Sequence, residues 1–550
     1  MKKMKAVYQS RTLRLVGGVT MAVMLAACTQ NGGGTNTTSK EAVDGGNSTP
    51  PASAIEYDPA RTGGLELPLS AEPITYSFFI AERADAAVSS DWPIFRAMAE
   101  RTGVDIRFEP APGAGFEEKR MLLLATQSVT DFFGSLTGSL ARQYGPDGVF
   151  LDLKPYMDEG LMPNIKAWYE KYPDATVVST AADGGIYSVP TFSEENYISF
   201  SWMARGDVMD ELGIEQPGNT DEFYDMLKQM KAAYPDAYPF LPISTAPIGR
   251  IGLYRDFAQM FTGIDGMLGY DREADEYRFA AEDARFVDML TYLHRLYEEG
   301  LMDPEFALLQ SNQFDERMLS GKSLVTHHFK GRVSQFNSKA RQADASTDYR
   351  LVPMAPFAAE GVKPFQFIKP VVFDAQSIAL AADVKQPEIA VQFLDYLYSD
   401  EGTDYTNYGI AGKNYEVNGG EVRYLEEEPD LLVPNLRKEG VLYDSIRMAA
   451  FDKSRQARVL SPEDAAIDEL QQPYIVDSVP LMVATEEEAE LEKERLANLT
   501  KHLEQKLTEF VMGKTAINDE SISQFVREAN QLGAAELVEM YNTQLERAGE

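Results

Sequence analysis

Ile74-Thr75-Tyr76-Ser77-Phe78-Phe79-Ile80, read together with the chain that follows it as far as Phe108, decides the fold. Its β-branched and aromatic side chains predict a strand. Residues 91–100 then read as a helix, and Val104-Asp105-Ile106-Arg107-Phe108 alternates apolar and polar side chains as a second strand. Residues 117–126 predict a further helix, and Asp131-Phe132-Phe133-Gly134 a short strand that ends in Ser135, Thr137 and Ser139. Strands that alternate with helices in this way argue for a mostly parallel sheet.

Downstream the pattern is mainly helical, and several helices have readable ends. Thr220 is expected to cap a helix whose Phe223, Leu227 and Met230 share a face, with Asp221 and Glu222 in its first turn. Phe286, Leu290, Leu293 and Tyr297 recur at helical spacing until Gly300 and Pro304 stop them. Ile389, Phe393 and Leu397 do the same before Gly402, and Thr485 with Glu488 has the spacing of a capping box opening a charged helix through about residue 510. These stripes read as core faces. A chain of 550 residues, 44% apolar and 11% aromatic, can supply two or three such cores. No internal repeat of about 20 to 50 residues breaks the pattern, which argues against solenoids and propellers.

Upstream of the first strand the composition changes twice. Lys2, Lys3, Lys5, Arg11 and Arg14 precede an apolar run over residues 15–27, which is too short to span a hydrocarbon core of about 30 Å. This is the pattern of a signal peptide. The run ends in Leu25-Ala26-Ala27-Cys28, which resembles the lipobox of bacterial lipoproteins. The resemblance implies an acylated (palmitate-bearing) Cys28 as the first residue of the mature chain, whereas a buried free thiol is the plainer reading of a lone cysteine. Cys28 is the only cysteine, so an exported fold would rest on core burial without a disulfide. Residues 29–54, rich in Gly, Asn, Thr and Ser, read as a flexible tether with a reach of about 30 Å. The formal net charge is −35, and losing the five cations of residues 1–27 would leave −40. Nucleic acid and anionic lipid surfaces are poor partners for such a chain.

Several blocks, taken in order, resemble the extracellular solute-binding proteins of bacterial ABC importers, and within them the large oligosaccharide-binding lipoproteins of family 1. They are Gly148-Val149-Phe150-Leu151-Asp152-Leu153-Lys154-Pro155-Tyr156 with Met162-Pro163-Asn164-Ile165, and Gly184-Gly185-Ile186-Tyr187-Ser188-Val189-Pro190. Trp202-Met203-Ala204-Arg205-Gly206-Asp207, Tyr297-Glu298-Glu299-Gly300-Leu301-Met302-Asp303-Pro304, Tyr398-Ser399-Asp400-Glu401-Gly402 and Asn407-Tyr408-Gly409-Ile410 follow. The resemblance implies an α/β, two-lobed periplasmic-binding-protein-like fold of type II, helix-rich, with the ligand cleft between the lobes. Its expected division is a leader over 1–27, a tether over 28–72, and a first lobe begun by 73–190. A second lobe then spans 191–370, a return through the hinge 371–430, and a helical segment packing across the lobes 431–550. It further implies a monomeric receptor on the outer face of the cell membrane, held there through its lipid anchor only, that delivers an oligosaccharide to ABC permease subunits. Members of the family often hold calcium in an acidic loop. Here Ala232-Ala233-Tyr234-Pro235-Asp236-Ala237-Tyr238-Pro239-Phe240 offers one carboxylate, so no metal or cofactor is expected.

A sugar site combines aromatic platforms with groups that satisfy hydroxyls. Trp202, Trp92 and Tyr187 are the candidate platforms, and Arg205, Asp207, Ser135, Thr137 and His328 the candidate polar contacts. Each has a plainer reading. The tryptophans could be core, Arg205 and Asp207 could pair with each other, and Ser135 and Thr137 could be turn residues. Trp168, between tyrosines on a helix, reads as packing. His327 and His328 lie in a strand-like stretch and must point to opposite faces. His294 and His502 are expected on solvated helix faces, and the four histidines form no zinc pattern. A secreted carbohydrate-active enzyme, a glycoside hydrolase or polysaccharide lyase, is the alternative, but with 86 acidic residues a carboxylate pair can always be nominated. A receptor for a peptide or other solute is the second alternative, since a lobed fold hosts many ligands.

Overall fold

The computed structural model describes residues 58–549 apart from 84–85, 114, 194–196, 243–250, 310, 367, 370, 420, 444–445, 447–461 and 478. The leader, Cys28 and the larger part of the expected tether lie outside the described residues. Among the described residues fourteen strands build the sheets, the last two being the hairpin Tyr415–Asn418 with Glu421–Tyr424. In chain order the other twelve are β1 (Ile74–Glu82), β2 (Val104–Pro112), β3 (Phe132–Leu136), β4 (Val189–Phe192), β5 (Tyr197–Ile198) and β6 (Phe200–Arg205). After these come β7 (Leu268–Asp271), β8 (Glu276–Phe279), β9 (Val325–Phe329), β10 (Leu351–Met354), β11 (Ile368–Lys369) and β12 (Val372–Leu380).

The first lobe is built on the sheet β2-β1-β3-β12-β4. β1 pairs in parallel with β2 and with β3, as the strand–helix alternation predicts. Phe78, Phe79 and Ile80 are buried in succession because helices cover both faces of the sheet. Phe79 and Phe133 stack on one side, joined by Phe116 and Leu124 of the helix Phe116–Ala125. On the other side Phe132 meets Phe393 edge to face. The sheet is mostly parallel as expected, with one exception: β12 runs antiparallel to both β3 and β4. β12 enters from the second lobe after an excursion of well over a hundred residues, so no strand–helix–strand crossover dictates its direction.

The second lobe holds the antiparallel sheet β10-β6-β9. One face packs against a large core that includes Trp202, Phe223, Phe257 and Phe286, and extends to Leu499, Leu503, Phe510 and Phe525 of the C-terminal helices. The other face, with Met203, Phe314, Phe336 and Leu351, is covered by the helices Arg332–Ala343 and Pro462–Gln471. The two-residue ladder of β5 with β11, Ile198 opposite Ile368, ties two crossings between the lobes together. Of the expected cross-lobe segment 431–550, the helices from Glu486 onward share the second lobe's core, and Lys493 reaches Asp147 of the first lobe at 3.3 Å.

Helix ends follow local chemistry with one correction. The cap of Thr220–Ala233 is Asn219, whose side chain accepts from Glu222 N, and Thr220 is already the first helical residue. Thr485 and Glu488 form the expected capping box of Glu486–Val511. Residues 58–72 do not behave as tether. Pro59–Thr62 is a short 3-10 helix, Thr62 and Leu65 are buried, and Arg61 pairs with Asp404 at 2.5 Å. Among the described residues no helix is long and apolar enough to cross a membrane.

Candidate functional site

β6 and β9 lie antiparallel with Phe200 opposite Phe329, Trp202 opposite His327 and Ala204 opposite Val325. Directly opposed residues share a face, so these three rows stack along one side of the sheet. They run from core to solvent. Ala204 and Val325 are buried, Trp202 is 6% exposed, and Phe329 is 39% exposed. The Phe200 and Phe329 rings sit 4.5 Å apart at the end of the sheet that adjoins β5 and the lobe crossing. Phe329 is exposed and Phe200 half-buried, and an aromatic pair so placed is a surface on which an apolar ligand face can lie.

The helix Ile251–Thr262 supplies charge to this end. Arg255 donates to Asp256 Oδ1 from Nη2 at 2.8 Å and Nε at 3.1 Å, and its guanidinium lies 5.8 Å from the Phe200 ring centroid. His327 Nδ1 meets Asp256 Oδ2 at 2.6 Å. A carboxylate only accepts, so Nδ1 of His327 carries a proton. The His327 ring is itself stacked on Trp202 at 5.0 Å. Burial pushes the Asp256 carboxyl up, but Arg255 and His327 outweigh it and hold the group down at about 2. Asp265, beside Arg255 and Arg272, goes the other way: burial pushes it up to about 6 against the pull of both arginines. Lys330 follows Phe329 and pairs with Asp468 at 2.5 Å. The platform is thus bordered by fixed donors and acceptors, the combination a polyhydroxylated ligand requires.

The residues expected from the sequence fall elsewhere. Trp92 is 1% exposed, edge-on to Phe108 and packed on Tyr443, and it belongs to the first lobe's core. Trp202 is enclosed by Phe223, Phe240, Phe257 and Phe357, one row beneath the platform. Arg205 and Asp207 pair bidentately at 2.8 and 2.6 Å, and Arg205 covers the Tyr349 ring. They stand at the far end of β6, about 16 Å from Phe200 at about 3.3 Å per residue. Tyr187 donates to Asp183 at 2.6 Å, with its ring against Gly145, where a Cβ would lie 2.1 Å from it. Ser135, at φ 51°, accepts from Ala81 N, and Thr137 caps the helix Gly138–Tyr144. His328 is buried against Phe314, accepts from Phe329 N, and burial holds its imidazole well below the usual value.

His327 and His328 do point to opposite faces, the former to the Trp202 core and the latter to the Phe314 core. Trp168 packs on Tyr172 and Phe192 as read. His294 and His502 are not free on solvated faces: His294 Nδ1 meets Val511 O at 3.0 Å, and His502 stacks on Phe525. Phe200, Phe329, Arg255 and Asp256 of the candidate platform are not among the residues expected from the sequence. The available signal was an aromatic residue at each of two strand ends bordering a crossing. Among the described residues no three His, Cys, Asp or Glu side chains gather as metal ligands.

The family model described as bacterial extracellular solute-binding protein matches residues 80–404. Lipoprotein LipO of Bacillus subtilis is 23% identical over 378 residues, covering 66% of this chain and 70% of LipO. The fructooligosaccharide ABC transporter substrate-binding protein FusA of Streptococcus pneumoniae is 24% identical over 343 residues, covering 59% of this chain and 61% of FusA. Among solved structures, the alginate-binding protein AlgQ2 without calcium ion superposes with a TM-score of 0.74 at 19% identity, covering 87% of this chain and 99% of that one. FusA in complex with kestose gives 0.68 at 17% identity, covering 86% and 99%. These likenesses give the two-lobed architecture.

Proposed function

The chain belongs to the bacterial extracellular solute-binding proteins, and from that premise we propose that it captures an oligosaccharide outside the cytoplasmic membrane and delivers it to the permease of an ABC transporter. The observation that carries the sugar reading is the Phe200–Phe329 ring pair, with Phe329 exposed and Phe200 half-buried, backed by the Arg255–Asp256–His327 cluster at the crossing end of the second lobe's sheet. The rings take the apolar face of a pyranose or furanose, Arg255 donates to hydroxyl oxygens, and the neighbouring carboxylates accept from hydroxyls. The relative FusA is named for fructooligosaccharide, which agrees with this class of ligand.

The lobes close over the sugar, the permease recognises the closed form, and no bond of the ligand is made or broken. The leader is removed before Cys28, the thiol carries lipid, and a monomeric body works from the outer face of the membrane. A basic leader ending in Leu25-Ala26-Ala27-Cys28 supports this, as does a relative that is itself a lipoprotein. Thermal melts of the protein against a panel of neutral and acidic oligosaccharides, followed by chromatography of each sugar, test both parts. A ligand at about 100 times its Kd adds about 2.7 kcal/mol. Stabilisation with the sugar recovered intact is the expected result, and a shortened sugar would make the protein an enzyme and overturn the reading.

A further inference from the structure

Two helices from different lobes meet at Asp430. The helix Pro429–Lys438 belongs to the first lobe through the turn that follows it. Gly440 backs onto the Trp92 ring, Leu442 N donates to Thr406 O at 2.8 Å, and Tyr443 Oη accepts from Arg83 N at 2.8 Å. The helix Arg332–Ala343 belongs to the second lobe, with Val333 and Phe336 in one core with Met203 and Leu351. Between them Arg341 donates from Nη2 to Asp430 Oδ1 at 2.6 Å and from Nε to Oδ2 at 2.9 Å. Ser338 Oγ and Gln342 Nε2 both donate to the Asp430 backbone carbonyl at 3.3 Å. Arg341 Nη1 also lies 3.5 Å from Glu463 of Pro462–Gln471.

A forked pair of this kind fixes direction as well as distance. Four hydrogen bonds from one helix converge on one residue of the other, and Asp430 stands in the first turn of its helix, where a carboxylate is favoured. The other ion pair between lobes described above, Lys493 with Asp147, is a single contact exposed at 32% and 52%. Such a pair contributes little. Arg341 and Asp430, exposed at 42% and 36%, differ from it in their fork and in the two further bonds to the Asp430 carbonyl.

We propose that Arg341 and Asp430 form a latch that holds the two lobes in the arrangement seen here when no ligand is bound. A latch of this kind changes how the receptor is distributed between arrangements of its lobes, and the apparent ligand affinity scales with the fraction that is binding-competent. It rests on the two-lobed architecture and not on the identity of the ligand.

The test uses ligand-free full-length chain carrying Cys28→Ser, with spin labels introduced by Lys166→Cys on the first lobe and Gln229→Cys on the second. Double electron–electron resonance reads the distance distribution between them. Arg341→Met and Asp430→Asn should each lower the share of separations matching the arrangement seen here, relative to all others, about fivefold, and the double variant no more than either alone. Raising salt to 1 M, where screening acts over about 3 Å, should shift the parent in the same direction and leave the double variant unchanged. Distributions identical to the parent in both single variants, or two single effects that multiply in the double variant, would overturn the proposal.

Discussion

Trp202 and Phe329 are both aromatic, both on the same sheet face, and one row apart, yet they do different work. Trp202 is 6% exposed among four other aromatic rings and Phe329 is 39% exposed beside one. Trp202→Ala should therefore empty a core site and cost about 3–5 kcal/mol, read as a lowered urea midpoint. Asp256 adds a pH signature. Its folded value of about 2 lies below the ordinary 3.8. A depressed carboxylate contributes fully above its unfolded value and loses that contribution as pH falls through the folded one, here between about pH 4 and pH 2. The contribution is about 2 kcal/mol. Stability of the parent should fall across that window by about this much more than that of Asp256→Asn, and parallel curves would remove the Arg255 and His327 pairing from the account.

At the scale of elements, what could be read from the sequence was whatever local periodicity controls. β1 to β3 and their helices are set by runs such as Phe78-Phe79-Ile80 and by spacing, and they stand where the pattern put them. β12 was not readable in direction, because its partners β3 and β4 lie more than 170 residues earlier and only the path of the chain through the second lobe brings them together. The cap at Asn219 was displaced by one residue because Asn and Thr adjoin, and only backbone conformation separates cap from first turn. Asn219→Ala should cost about 1 kcal/mol, whereas Thr220→Ala leaves the cap bond in place, and a thermal melt of each distinguishes them. The platform was unreadable for a different reason. Residue type flagged Trp202, but exposure grows along the strand towards Phe200, and Arg255 and Asp256 reach that end from a helix about fifty residues on.

The whole molecule joins these parts through a few narrow crossings. β5 pairs with β11 where two of them run side by side, and the Phe200–Phe329 platform begins two residues beyond that ladder. A ligand held on rings so near the crossing can engage both lobes at once, which is how binding energy becomes closure. The formal net charge of −35 makes like-charged copies repel one another.

The most direct test is calorimetric titration of the panel sugar giving the largest thermal shift into the parent, Phe329→Ala and Trp202→Ala. The account predicts at least a tenfold weaker Kd for Phe329→Ala with a melting temperature within a few degrees of the parent. Unchanged affinity in Phe329→Ala would contradict it and move the binding surface away from the second lobe's strand ends.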